Sequence, residues 1–114
     1  MVLLMAFRQI RFIDAPRWRQ DVQLDGSVYT LAAAWNTRMD SWVLDIESSD
    51  GTVLARGIRL VLGWPLLRGI DYDDRLPPGE FMVVDPTGRA VAPPGRDSFT
   101  TGNYQLVYQE AADG

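Results

Sequence analysis

WNTRMDSWVLDIESSDG, residues 35–51, decides the fold. In its second half Trp42, Leu44 and Ile46 alternate with Val43, Asp45 and Glu47. A side-chain period of two marks a half-buried strand, so the first three residues face a core and the two carboxylates face water. A helix needs an apolar stripe at three- and four-residue spacing, which this run does not sustain. SSDG, residues 48–51, supplies a turn through Asp50 and Gly51, and TVLARGIRLV, residues 52–61, returns as a second strand with a bend or bulge at Gly57.

Working upstream, NTRMD, residues 36–40, is the loop that feeds the central strand. Asn36 and Asp40 have the short polar side chains that hydrogen-bond a turn, while Arg38 and Met39 project outward. Two readings stand for that outward pair, a partner contact and plain turn chemistry. Before the loop, WRQDVQLDGSVYTLAAAW, residues 18–35, divides at Asp25-Gly26, a dipeptide suited to the positive dihedrals of a tight hairpin. Trp18, Gln20, Val22 and Leu24 share one parity on one side, and Tyr29, Leu31, Ala33 and Trp35 share one on the other. LAAAW has helix-favouring composition, yet it is too short between turn signals to be a helix and is read as strand. AFRQIRFI, residues 6–13, reads as a first strand that Pro16 brings to an end.

Downstream of residue 63, glycine and proline punctuate the chain. EFMVV, residues 80–84, reads as a strand, DPTG, residues 85–88, as a turn, and YQLVYQ, residues 104–109, as the last strand. Pro77-Pro78 and Pro93-Pro94, each followed by glycine, mark connectors. The expectation is one all-β domain over residues 1–114 with flexible extreme termini, built of about seven or eight short strands. Barrel and sandwich are both compatible with that pattern.

The 114 residues, 46% hydrophobic, are enough for one core without a disulfide or a structural metal. There is no cysteine and no histidine, which removes thiolate chemistry and the usual imidazole base and ligand. The net charge is −4 and every basic residue is arginine, a bias that fits either the coding habit of the source or a preference for interfaces. Dispersed arginines on an acidic chain are poorly suited to a phosphate backbone, so no direct nucleic-acid binding is expected. MVLLMAF at the start is too short to span a bilayer and lacks a signal's basic region, so no membrane insertion is expected. It reads as a partly buried first strand or as an exposed interaction arm.

Chemical sites are tested in the same way. Asp71, Asp73 and Asp74 in DYDD lack the spacing of a calcium loop and read as a solvated turn. No GxSxG elbow, GxGxxG or GxxxxGK[ST] occurs, and no parity places two carboxylates across a groove. The expectation is therefore no catalytic residue, no cofactor and no metal. Trp35, Trp42, Trp64, Tyr104 and Tyr108 are read first as core aromatics and second as a stacking platform for a carbohydrate or peptide. Arg38, Met39, Trp64, Arg68, Tyr72 and Arg75, of the types that enrich protein interfaces, are the candidate partner contacts.

The ordered pattern in LDGSVYTLAAAWNTRMDSWVLDIESSDGTVLARGIRLVLGWPLL, residues 24–67, resembles the small plug proteins of contractile-tailed bacteriophage baseplates. The resemblance rests on an LDG turn, an aromatic-Asn loop, a W-x-L-D strand, a DG turn and a G-x-R-L-V strand. It continues more loosely to GEFMVVD and the terminal LVY. Asp25, Gly26, Asn36, Trp42, Asp45, Asp50, Gly51, Gly57, Arg59 and Leu60 carry it, and they look like positions that define the fold. The resemblance implies a non-enzymatic, all-β structural protein of the virion tail baseplate, made in the host cytoplasm. Its implied partners are hub, spike or tail tube subunits, with self-association inside the assembly left open.

Overall fold

The computed structural model describes residues 7–63, 65–67, 76–88 and 94–110. Its strands are β1 (Phe7–Ile10), β2 (Arg17–Leu24), β3 (Ser27–Asn36), β4 (Ser41–Ser48), β5 (Val53–Arg59), β6 (Glu80–Val84) and β7 (Gln105–Gln109). β2, β3, β4 and β5 form one antiparallel meander, and β1, β7 and β6 form a second sheet in that order. Neither sheet closes on itself. The architecture is a sandwich, which resolves the choice between the two expected forms.

Asp25 and Gly26 turn the first hairpin with φ of 50° and 83°, and Leu24 pairs with Ser27 on either side. A two-residue turn fixes register, so Trp18 lies opposite Ala33 and Val22 opposite Tyr29, all on one face. LAAAW is strand, as its place between turns requires. Trp42, Leu44 and Ile46 are at most 1% exposed and form the centre of the core. The opposite wall is Ile10, Phe81, Val83, Leu106 and Tyr108, with Leu66, Leu76, Phe99 and Tyr104 filling its ends.

β5 would lose its inward parity without an extra residue. Leu44 pairs with Ile58 and Ile46 with Ala55, so the strand bulges between them, at a glycine with φ of 73°. The Gly57 amide donates to the Asp45 carboxylate at 2.7 Å, which occupies a donor that the ladder no longer uses.

Two expectations need correction. The first strand was expected over residues 6–13, but pairing with β7 stops at Ile10. Phe12 leaves the strand to stack on Phe99 at 4.1 Å and to meet Trp18 and Trp42 edge-on, closing the gap between the sheets. Glu47, expected in water, is buried at 9% exposure, because Arg19 folds over it with a bidentate ion pair at 2.8 and 3.0 Å. Parity assigns a face but not a depth.

The chain crosses between sheets along β6. Leu62 bridges Val83, and Gly63 and Leu66 donate to the carbonyls of Val83 and Phe81 at 2.9 and 3.0 Å. This crossover covers the outer edge of β6.

A second tie runs through Tyr108, which is fully buried. Its hydroxyl donates to Asp25 at 2.5 Å and accepts the Gly79 amide at 2.7 Å, fastening the first hairpin turn to the last strand. Burial, reinforced by the Asp25 hydrogen bond, pushes this phenol well above its ordinary range. The unfolded chain releases that proton near pH ~10 and the folded chain holds it, so stability is intact below that value and falls as pH rises beyond it. Urea midpoints measured from about pH 8 to about pH 11 are expected to fall more steeply for the wild type than for Tyr108→Phe. Tyr29, raised by burial as well, contributes to the slope that remains.

Candidate docking surface

The outer face of the four-stranded sheet is laid out by the same registers. One row runs Arg17, Ala34, Val43, Arg59, and the next runs Arg19, Ala32, Asp45. Alanines at the centre of both rows are shorter than their neighbours, so the face sinks there. The result is a trough of about 900 Å³ lined by Arg17, Arg19, Ala32, Ala34, Met39 and Val43 among others. Its floor is apolar, its β2 side is cationic, and Asp45 is the carboxylate that lines it.

One end of the trough is walled by the 36–40 loop, which is braced from below. Asn36 accepts the Met39 amide at 3.1 Å, the Ser41 hydroxyl donates to the Met39 carbonyl at 3.0 Å, and the Arg59 Nε donates to that hydroxyl at 2.8 Å. Asp40 takes φ of 53° to close the turn. The loop therefore presents Arg38 and Met39 to solvent on a fixed backbone, with Met39 46% exposed. A pre-ordered loop loses little conformational freedom on binding.

Of the other positions singled out in the sequence, Asp50 accepts the Thr52 amide at 3.0 Å and the Ser48 hydroxyl, and Gly51 completes that turn with φ of 91°. The structure thus brings Asp45 together with Gly57, and Asn36 with Ser41 and Arg59 through Met39, around one end of the sheet. Trp64, Arg68, Tyr72 and Arg75, and the DYDD stretch, lie outside the described residues.

Of the five aromatics read first as core and second as a stacking platform, the four described ones do not form an exposed platform. Trp42, Tyr104 and Tyr108 are buried, and Trp35 is half-buried against Trp42 with ring centroids 5.8 Å apart. Among the described residues no cluster of three or more carboxylate-type ligands is placed to hold a metal. No helix among them is long and apolar enough to cross a membrane.

Sequence reasoning missed Arg17, Arg19, Ala32 and Ala34. The signal lies in the outward parity of YTLAAAW, where small residues sit between two longer rows.

A comparison with curated proteins gives no match. A comparison with protein-family models matches residues 7–111 to a family described as the cyanophage baseplate Pam3 plug gp18. That span takes in all seven strands, the braced loop and the trough. With a match over this much of its length, the chain belongs to the phage baseplate plug family.

Proposed function

We propose that this protein is a structural subunit of a contractile phage tail baseplate that plugs or bridges the central hub near the spike through protein-protein contacts. The observation that carries this reading is the family match from residue 7 to residue 111. The molecule supplies what such a role needs: a rigid two-sheet scaffold and an ordered loop holding Arg38 and Met39 outward. A hub, spike or tube subunit rests on this loop and on the trough beside it, and Trp64, Arg68, Tyr72 and Arg75, outside the described residues, are further candidate contacts.

Electron microscopy of intact tails carrying a label on this chain tests the location. Density at the central baseplate is the expected result, and a label that never localises there overturns the proposal. For the surface, Arg38→Glu combined with Met39→Asp is expected to weaken capture of the purified chain by plug-less baseplates about tenfold or more, because Arg and large apolar side chains dominate interface energetics. An unchanged circular dichroism spectrum separates that loss from misfolding, since both side chains are exposed.

A further inference from the structure

The outer edge of β2 stands apart from the other sheet edges. The β6 edge is covered by the crossover, β5 is bulged at Gly57, and β1 has only 4 residues among those described. β2 has 8 residues with no proline and no bulge, and it pairs with β3 along its whole length. Unguarded straight edges template strand addition, and proteins ordinarily blunt them.

The hydrogen-bond phase of β2 is fixed. A two-residue turn makes Leu24 and Ser27 a hydrogen-bonded pair, and at the far end Trp35 donates to the Pro16 carbonyl at 2.8 Å. Even-numbered residues therefore bond to β3. The N–H and C=O groups of Arg17, Arg19, Asp21 and Gln23 point away from the sheet, with no partner among the described residues.

From this geometry we propose that a second copy of the same chain docks here, β2 against β2 in antiparallel register, around a two-fold axis at Gln20. In an antiparallel pair, opposite residues share a face, so odd residues of one copy meet odd residues of the other. An axis at Arg19 sets arginine against arginine, and an axis at Asp21 sets aspartate against aspartate. The axis at Gln20 instead sets each Arg19 against the other copy's Asp21 and each Arg17 against its Gln23. It also uses every outward main-chain group of those four residues.

On the inner side Trp18 meets Val22 of the second copy. The second copy's Gln20 stands diagonally across from Trp18, whose buried indole N–H has no acceptor among the described residues. Gln20 uses its amide N–H on its own Arg11 carbonyl at 2.6 Å, a bond that leaves its oxygen unspent. The two four-stranded sheets become one continuous sheet. An interface of one strand edge lies at the small end of stable contacts, which corresponds to a dissociation constant of about micromolar order.

This inference stands apart from the chain's place in the tail, and its test uses the isolated protein. Sedimentation equilibrium from about 1 μM to about 500 μM is expected to show a monomer-dimer equilibrium. Arg19→Asp and Asp21→Arg each put like charges opposite one another twice, so each alone is expected to weaken dimerisation about tenfold or more. Mixed in equal amounts, the two variants are fully complementary and are expected to form a heterodimer at wild-type strength. Gln23→Pro removes an outward N–H that the β2–β3 ladder does not use and is expected to weaken dimerisation about tenfold as well. Asp21→Arg leaves the Arg19–Glu47 ion pair in place, and circular dichroism verifies folding of each variant. A wild type that stays monomeric across the range overturns the proposal. So do folded Arg19→Asp and Asp21→Arg chains that do not associate when mixed.

Discussion

Trp42→Ala is expected to destabilise the fold by about 3–5 kcal/mol, a large share of the ~5–15 kcal/mol that holds a domain of this kind together. The side chain is 1% exposed near the start of β4, and three neighbours depend on it. Phe12 meets its ring edge-on at 5.0 Å, Trp35 covers its flank, and the Arg96 guanidinium lies 5.5 Å above it. Its Nε1 also donates to the Arg96 carbonyl at 3.2 Å, tying the segment before β7 to the opposite sheet. Removing the indole opens a cavity that Phe12 and Phe99 cannot both fill without breaking their stacking. A drop in the urea midpoint measures the loss. Trypsin adds a local readout, because Arg96 loses both its carbonyl partner and its ring and becomes an early cleavage site. Trp42→Phe retains most of the packing and forfeits the hydrogen bond, so its cost is expected near 1–2 kcal/mol, roughly that of a buried polar group left unpaired.

Gly79→Ala is expected to do comparable damage for a different reason. A methyl group built at Gly79 falls 2.1 Å from the Gln109 carbonyl and 2.6 Å from the ring carbon and hydroxyl of Tyr108. None of these can yield cheaply. Gln109 is a ladder residue paired with Phe7 and Glu80, and the Tyr108 hydroxyl is held between Gly79 and Asp25. Relief requires the Pro77–Gly79 connector to lift off β7, which breaks the hydrogen bond from the Gly79 N–H to the Tyr108 hydroxyl and loosens the end of β6. The expected loss is about 3 kcal/mol or more, seen as a fall of roughly 12 °C or more in Tm. Tyr108→Phe alone keeps the ring in place and is expected to cost less, so the order Gly79→Ala below Tyr108→Phe below wild type in thermal melts checks that crowding, not the hydrogen bond, dominates.

Much of this fold was legible because its strongest signals are local. The alternation around Trp42, Leu44 and Ile46, the Asp25-Gly26 turn and the break at Gly57 each depend on residues close in sequence, and each appears where the pattern put it. The three-stranded sheet was legible only as isolated strands. β1 is four residues long and finds its partner near the other end of the chain, and no local pattern encodes that pairing. The distinction between barrel and sandwich depended on how strand edges are finished, a matter of the Leu62–Leu66 crossover rather than of composition.

The candidate surface was legible in part. Arg38 and Met39 stood out as outward loop residues because the turn chemistry around Asn36 left them nowhere else to point. The trough did not stand out, since Ala32 and Ala34 matter by being small. Glu47 was misplaced because an arginine two strands away covers it.

β7 lies between β1 and β6, so β1 has no neighbour to bond with until β7 has been made. The Asp25–Tyr108 tie, 83 positions apart in sequence, waits for the same event. During synthesis the four-stranded meander is made first, while the other half of the sandwich stays unformed and leaves the meander's inner face uncovered. Final folding waits for β7, with the slow closing rate that distant contacts impose. A nascent chain stalled before Gln105 would present a sticky open sheet to whatever chaperone or neighbour reached it first.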